Sequence, residues 1–367
     1  ALDAAARAVG AHAYPAPRGI VPKGLTGPRP SCIECGFCGA YDCPVGAKAS
    51  SPRVFWDGLP AARVVPNAPV GEVLVDGPQV RGVLVRAADG SLVRLESDRV
   101  VLAASAVETA RLLLLSRPLG HPTGLGNATG QVGRNLVFSL DTSGRAVFPF
   151  PSKHFAREDA QRQFVNRAIQ DRYQDDAAPG GYPKAGTVVI ERGHNNPIQR
   201  SLRAAREGGA PLLGGVLVER LRRQLLEETE LAYEAFGEML PRPGCRVLLD
   251  PEVTDASGVP AARIEVDANA EEVRRVGRLG ELARSVLEGL APARIVEDAA
   301  FRVTSFLQAG AARMGADPET SVCDSAGAVR GVSGLYVVDG AALPTMGGVP
   351  PTLTIMANAA RIGARFG

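Results

Sequence analysis

A chain of 367 residues is long enough to bury a large core and is expected to divide into more than one domain. With 41 Lys and Arg against 39 Asp and Glu the formal net charge is only +2, and the basic residues are scattered, so neither nucleic acid nor an anionic membrane is called for as a partner. No apolar run approaches the ~20 residues that span a bilayer.

The chain starts without Met, and charges interrupt any candidate signal core, so the expectation is a processed product or a portion of something longer. Leu2, Ala5, Ala6 and Val9 share one side of a short leading helix. A Pro-rich linker follows, and then Cys32, Cys35, Cys38 and Cys43 fall in the pattern Cys-x2-Cys-x2-Cys-x4-Cys-Pro. Thiolates spaced this tightly can converge on an iron–sulfur cluster or on a zinc ion; disulfides or free thiols are the alternative. Cys245 and Cys323 stand apart in apolar surroundings and read as small buried hydrophobes. So few cysteines outside the segment lean slightly toward a cytoplasmic setting, although the sequence leaves the compartment unknown.

From Arg63 the period changes. Val64–Val65, Gly71–Val75, Val80–Val85 and Leu92–Leu95 are short β-rich runs, punctuated by the turn pairs Asp76-Gly77 and Asp89-Gly90, and together predict a β-meander. Val100–Ala104 is apolar throughout and leads into a helix with Leu112 and Leu115 facing inward. The glycines of Gly124–Leu136 do not follow a strand and read as a loop, not as a phosphate cradle.

Strands are expected at Thr187–Ile190, Arg246–Leu249 and Arg263–Val266, and helices at Val216–Leu231 and Glu271–Leu290. The basic cluster Arg220–Arg223, followed by Glu227, Glu228 and Glu230, reads as a solvated helix face. The segment from His154 to Pro211 is poorly patterned and is expected to be a lid or partly disordered. Near the end, Leu335–Val338 is a short apolar strand with a polar residue, Asp339, at its carboxyl end, where open α/β sheets bind ligands. Thr352–Phe366 closes the chain as a helix with Ile355, Ala359, Ile362 and Phe366 on one side.

Gly310, Arg313-Met314-Gly315, Asp317-Pro318, Leu335–Gly340, Pro344-Thr345 and Pro351-Thr352-Leu353-Thr354 resemble the closing segments of the glucose-methanol-choline (GMC) flavoprotein oxidoreductases, with the cysteine segment similar to that of the gluconate and fructose dehydrogenase type. The resemblance implies an α/β (α+β) fold: a partial Rossmann-type FAD domain with its β-meander, plus an antiparallel-sheet substrate domain. It implies a division into a leading helix, linker and Cys-rich segment (1–60), part of the FAD domain (61–146), a substrate domain (147–300) and a return to the FAD domain (301–367). It also implies flavin contacts from Val70, Ser105, Asp339, Gly340, Pro351 and Thr352, an iron–sulfur cluster in some members, and an alcohol or sugar as substrate.

Two departures accompany it. The family's catalytic His aligns with Leu307 and its second catalytic position with Pro350, so neither family position carries a proton acceptor; His194 is the weak replacement candidate. The strand–Gly-x-Gly-x-x-Gly–helix segment that grips the pyrophosphate has no counterpart in the chain. The expectation is a second polypeptide, or a removed part, that completes the sheet and brings most of the FAD site. A degenerate, non-redox relative serving as a structural or regulatory subunit is the alternative.

Overall fold

The computed structural model describes residues 1–35, 38, 41–56, 64–87, 89–150, 165–174, 184–192, 197–206 and 211–366. In chain order the first elements are α1 (Leu2–Ala8), β1 (Ala13–Pro15), β2 (Val70–Asp76), β3 (Gln79–Arg86), β4 (Leu92–Glu96), β5 (Val100–Leu102), α2 (Ser105–Leu115) and β6 (Val137–Pro149). The middle of the chain forms β7 (Val165–Ile169), β8 (Gly186–Arg192), α3 (Pro197–Arg206), α4 (Gly214–Leu226) and β9 (Glu228–Gly237). After them come β10 (Arg246–Thr254), β11 (Pro260–Glu265), α5 (Ala270–Glu288), β12 (Arg294–Ala309), β13 (Leu335–Val337) and α6 (Thr352–Gly363). The fold is mixed α/β with antiparallel sheets, as the sequence implies. No described helix is long and apolar enough to cross a membrane.

The elements pack as two units. The first comprises Ala1–Arg63, Asp141–Phe236 and Arg274–Arg302; the second comprises Val64–Leu140, Gly237–Val273 and Val303–Gly367.

The first unit is built on a six-stranded sheet in the order β1-β7-β8-β9-β6-β12. Strand alternation turns Val188 and Ile190, Leu231, Tyr233 and Ala235, and Ala146 and Phe148 to one face. There they meet Leu279, Ala283, Val286, Leu287 and Leu290, the stripe of α5 at helical spacing, together with Ala5 and Ala6 of α1. Full burial of each large side chain contributes roughly 1.5–3 kcal/mol. Gly280 lets α5 come this close, since a Cβ there would lie 2.8 Å from Thr142 Cγ2. The start of α5 is set by a reciprocal capping pair: Glu272 N donates to Asn269 Oδ1 at 2.8 Å and Asn269 N donates to Glu272 Oε2 at 2.9 Å.

Three stretches of this unit depart from the sequence reading. The helix expected to reach Leu231 ends at Leu226, because Glu228 is claimed by both Nη atoms of Arg294 at 2.8 Å each and by Arg223 Nε at 2.9 Å, and the residues beyond alternate as a strand. The long strands β6 and β12 are a second departure; β6 is buried nearly throughout, its polar residues included. The segment from 154 to 211, where described, supplies β7, β8 and α3.

In the second unit β2, β3 and β4 form the expected antiparallel meander, with Gly77 at φ +55° in the first turn. Val64 and Val65 are not strand; Asn67 turns the chain at φ +55° directly after them. β13 and β5 are parallel, with Leu335, Tyr336 and Val337 opposite Val100, Val101 and Leu102. α2 packs on β2 and β10, and Arg111 ties it to the β10–β11 turn by donating to Asp255 Oδ2 at 2.6 Å and Pro260 O at 2.8 Å. β10 and β11 pair with each other as a two-stranded sheet of their own. α6 buries only Ile362 fully, leaving Leu353 78% and Met356 43% exposed.

Candidate functional site

The carboxyl ends of β5 and β13 lie together in the second unit. Val100 N donates to Gly334 O at 2.8 Å and Val338 N donates to Leu102 O at 3.0 Å. Alternate residues of a parallel strand direct both backbone groups to the same side, so Val101 turns its N–H and C=O away from β13. Among the described residues no strand pairs with that edge, and Val101 is 43% exposed. The edge borders a groove of about 690 Å³ whose walls include Val70, Leu84, Leu95, Ala103 and Leu112.

Asp339, just past the end of β13, is the hub of the adjoining turn. Thr109 Oγ1 donates to Asp339 Oδ2 at 2.5 Å and Ala341 N donates to Oδ1 at 2.9 Å, while the N–H groups of Ser105 and Ala104 also bond the carboxylate. Burial pushes this carboxyl above the usual range, against the pull of those donors. The same contacts hold Ser105 at φ +73°, a left-handed conformation that L residues with a side chain adopt at a cost of about 1–2 kcal/mol. Ser105 is exposed beside the groove wall formed by Ala103 and Ala104.

Gly340 permits close backbone approach: a Cβ there would stand 2.6 Å from Gln308 O and 3.4 Å from Ile355 Cδ1 of α6. Pro351 is buried at the N-cap of α6 and Thr352 is exposed in its first turn. Val70, Ser105, Asp339, Gly340, Pro351 and Thr352 therefore all belong to the second unit, around the strand ends and the start of α6. Leu307 lies half-buried on β12 and Pro350 is exposed in the loop before α6. His194 lies outside the described residues.

A carboxylate that the sequence pattern did not single out touches that same loop. Gly347 N donates to Glu238 Oε1 at 2.9 Å, whereas Oε2 of this buried side chain meets no hydrogen-bond partner among the described residues. Glu238 directly follows β9, in a stretch to which the sequence reading assigned no element.

The cysteine quartet does not assemble as a metal site. All four are free thiols, and among the described residues no group of three or more His, Cys, Asp or Glu could hold a metal ion. Cys32 is buried, its Sγ accepting from Glu34 N at 3.2 Å. The Lys48 ammonium donates to Cys38 O at 3.0 Å and to Tyr41 O at 3.2 Å. Burial, with Cys32 and Cys35 nearby, pushes the Cys38 thiol up; burial would do the same to Cys43, but the N–H groups of residues 45–48 prevail and lower it. Cys245 and Cys323 are buried, and burial drives the Cys323 thiol up to about 12.

In the first unit the sheet face opposite α5 carries charge. Glu191 on β8, Glu234 on β9, Asp141 on β6 and Arg302 on β12 follow one another in strand order. Arg302 Nε donates to Asp141 Oδ2, and Arg302 Nη2 is 3.8 Å from Glu234 Oε1. The sequence signal for this row is the recurrence of Glu228, Glu230 and Glu234 at even spacing along β9, whose first four residues the sequence reading assigned to the preceding helix.

Comparison with known proteins fits this geometry. The fold superimposes on the crystal structure of pyridoxine 4-oxidase from Mesorbium loti with a TM-score of 0.51, over 82% of this chain and 57% of that one, at 20% identity. The chain belongs to the GMC oxidoreductase family, whose amino-terminal model matches residues 14–140 and whose carboxyl-terminal model matches residues 241–359. It is 29% identical to paromamine 6'-oxidase of Streptomyces fradiae over 98% of this chain and 63% of that protein. It is 26% identical to the fructose dehydrogenase large subunit of Gluconobacter japonicus over 91% of this chain and 59% of that protein. The chain thus spans about 60% of the length of these relatives.

Proposed function

We propose that this chain works as part of an FAD-dependent oxidoreductase acting on the CH–OH group of an alcohol or sugar, and that a further strand, from a second polypeptide or another portion of the protein, joins the free edge of β5. The observation that carries the reading is that edge: an apolar parallel strand with one side unpaired among the described residues, bordering a groove, at the strand ends where α/β sheets receive ligands. Sheet edges of this kind are ordinarily paired or covered. The relative from Gluconobacter japonicus is named as a large subunit, which favours a heteromeric arrangement. One relative is named for paromamine and another for fructose, so the proposed substrates include hydroxyl compounds with and without amino groups.

The residues proposed to hold FAD are Val70 and Ser105 beside the groove, Asp339 and Gly340 past β13, and Pro351 and Thr352 at the start of α6. Their fit rests on Ser105, which keeps a backbone conformation natural to glycine where the family approaches the cofactor closely. FAD, when bound, accepts a hydride. The chain must then take the hydroxyl proton, which Leu307 and Pro350 cannot do. Glu238 Oε2 is the proposed acceptor, because it is buried, unpartnered and anchored to the loop that leads to Pro350. The cysteine segment has no part in this reading, since among the described residues its four thiols are not gathered as a metal site.

The losses at Leu307 and Pro350 favour one alternative, a relative without redox activity that serves as a structural or regulatory subunit. Visible absorption of the protein purified with its natural partners separates the two: flavin bands that bleach on adding an alcohol or sugar are expected, and a colourless complex rejects the proposal. Glu238→Gln should then retain the flavin bands and slow bleaching about 10²–10⁴-fold.

A further inference from the structure

The charged row of the first unit is not neutralised by its own members. Glu191, Glu234 and Asp141 share Arg302 and Arg18 as their nearby cations: Arg302 serves Asp141 and approaches Glu234, and Arg18 acts on Glu191 and Glu234. The Asp141 side chain is 1% exposed, and its Oδ1 has no hydrogen-bond donor among the described residues although it sits within the row. Glu234 and Arg302 remain 34% and 47% exposed, so the row can be reached from solvent.

We propose that this row is a binding site for a cationic amino group, the ammonium of an amino sugar or aminated polyol, which it takes in preference to neutral sugars. An ammonium carries three donors and no acceptor, which suits Asp141 Oδ1 and the incompletely paired Glu234, and its charge balances the third carboxylate. A neutral hydroxyl in the same place satisfies an oxygen but leaves the charge. Burial, then Glu234, push the Glu191 carboxyl up to about 8, with Arg18 opposing and Asp141 adding to the rise. Glu191 therefore holds a proton near neutral pH when no cation is present, and the incoming ammonium displaces it. The inference stands apart from the oxidoreductase reading and is tested separately from it.

The experiment is calorimetric titration of the full chain near neutral pH with glucosamine and, in parallel, glucose, in two buffers of different protonation enthalpy. Glucosamine should bind at least about tenfold more tightly than glucose, with a buffer-dependent heat that reports proton release, and Glu234→Gln or Glu191→Gln should remove most of that preference. Both substitutions spare the Arg302–Asp141 pair, and thermal melting checks that each variant is folded. Equal affinities, no glucosamine binding, or a preference that survives both substitutions overturns the proposal. A preference in a protein that never takes up flavin would reject the redox reading and leave this one standing; flavin reduction by sugars without any preference would do the reverse.

Discussion

The two sheets that carry the candidate surfaces are stabilised in opposite ways. The first unit's sheet has six strands, an apolar face under α5 and α1, and a charged face knitted by ion pairs such as Arg294–Glu228. The second unit's β5–β13 pair has three residues in each strand and, among the described residues, one side without a partner. A two-stranded ladder is marginal by itself. What holds this one is outside the ladder: Leu335 and Val337 are fully buried, and Asp339 clamps the start of α2 to the end of β13. One sheet is finished by its own contacts; the other is fastened at its end while its edge stays exposed.

Four substitutions probe this contrast. The largest effect is expected at Glu191. Its folded-state carboxyl titrates near 8, whereas the unfolded one titrates near 4.5, so the native state binds the extra proton between those values and stability falls as pH rises through that window. Glu191, facing Glu234, Arg18 and Asp141, contributes a slope worth at most about 5 kcal/mol over the range. Melting curves at pH values near either end should converge for Glu191→Gln if this is right. Glu228→Ala removes the carboxylate that Arg294 and Arg223 share and should cost about 3 kcal/mol in denaturant unfolding; a loss well under 1 kcal/mol would mean that the ion pairs do not secure the charged face.

On the other side of the contrast, Asp339→Ala removes the acceptor for Thr109 and for the backbone donors of the β5–α2 turn. It should cost about 2 kcal/mol and raise amide exchange in the first turn of α2 without affecting the six-stranded sheet. Ser105→Gly relieves the left-handed strain and should raise stability by up to about 1 kcal/mol. A destabilised Ser105→Gly would show that the serine side chain, not its backbone conformation, secures the turn.

Legibility in the sequence followed the same line. The meander, the parallel pair and α5 were readable because turn glycines and apolar periods mark them without help from distant residues. Strands β6, β9 and β12 were not, because Asp141, Arg145, Glu228 and Glu234 are polar residues whose burial depends on partners brought from remote strands. The same limit applies to the sites. Asp339 stood out by its place after an apolar strand, while Glu238 and the charged row exist only once the sheet is assembled. The cysteine spacing permits a cluster, whereas the described residues show four free thiols, with Lys48 bonded to Cys38 O and Cys32 buried.

The exposed edge of β5 is tested most directly by residue-resolved amide hydrogen exchange on the chain without added partners. Val101 N–H is expected to exchange as an open amide while Leu102 N–H, turned toward β13, is protected, and addition of the partner that completes the flavin domain should slow Val101. Equal protection of both amides in the chain alone would contradict the account.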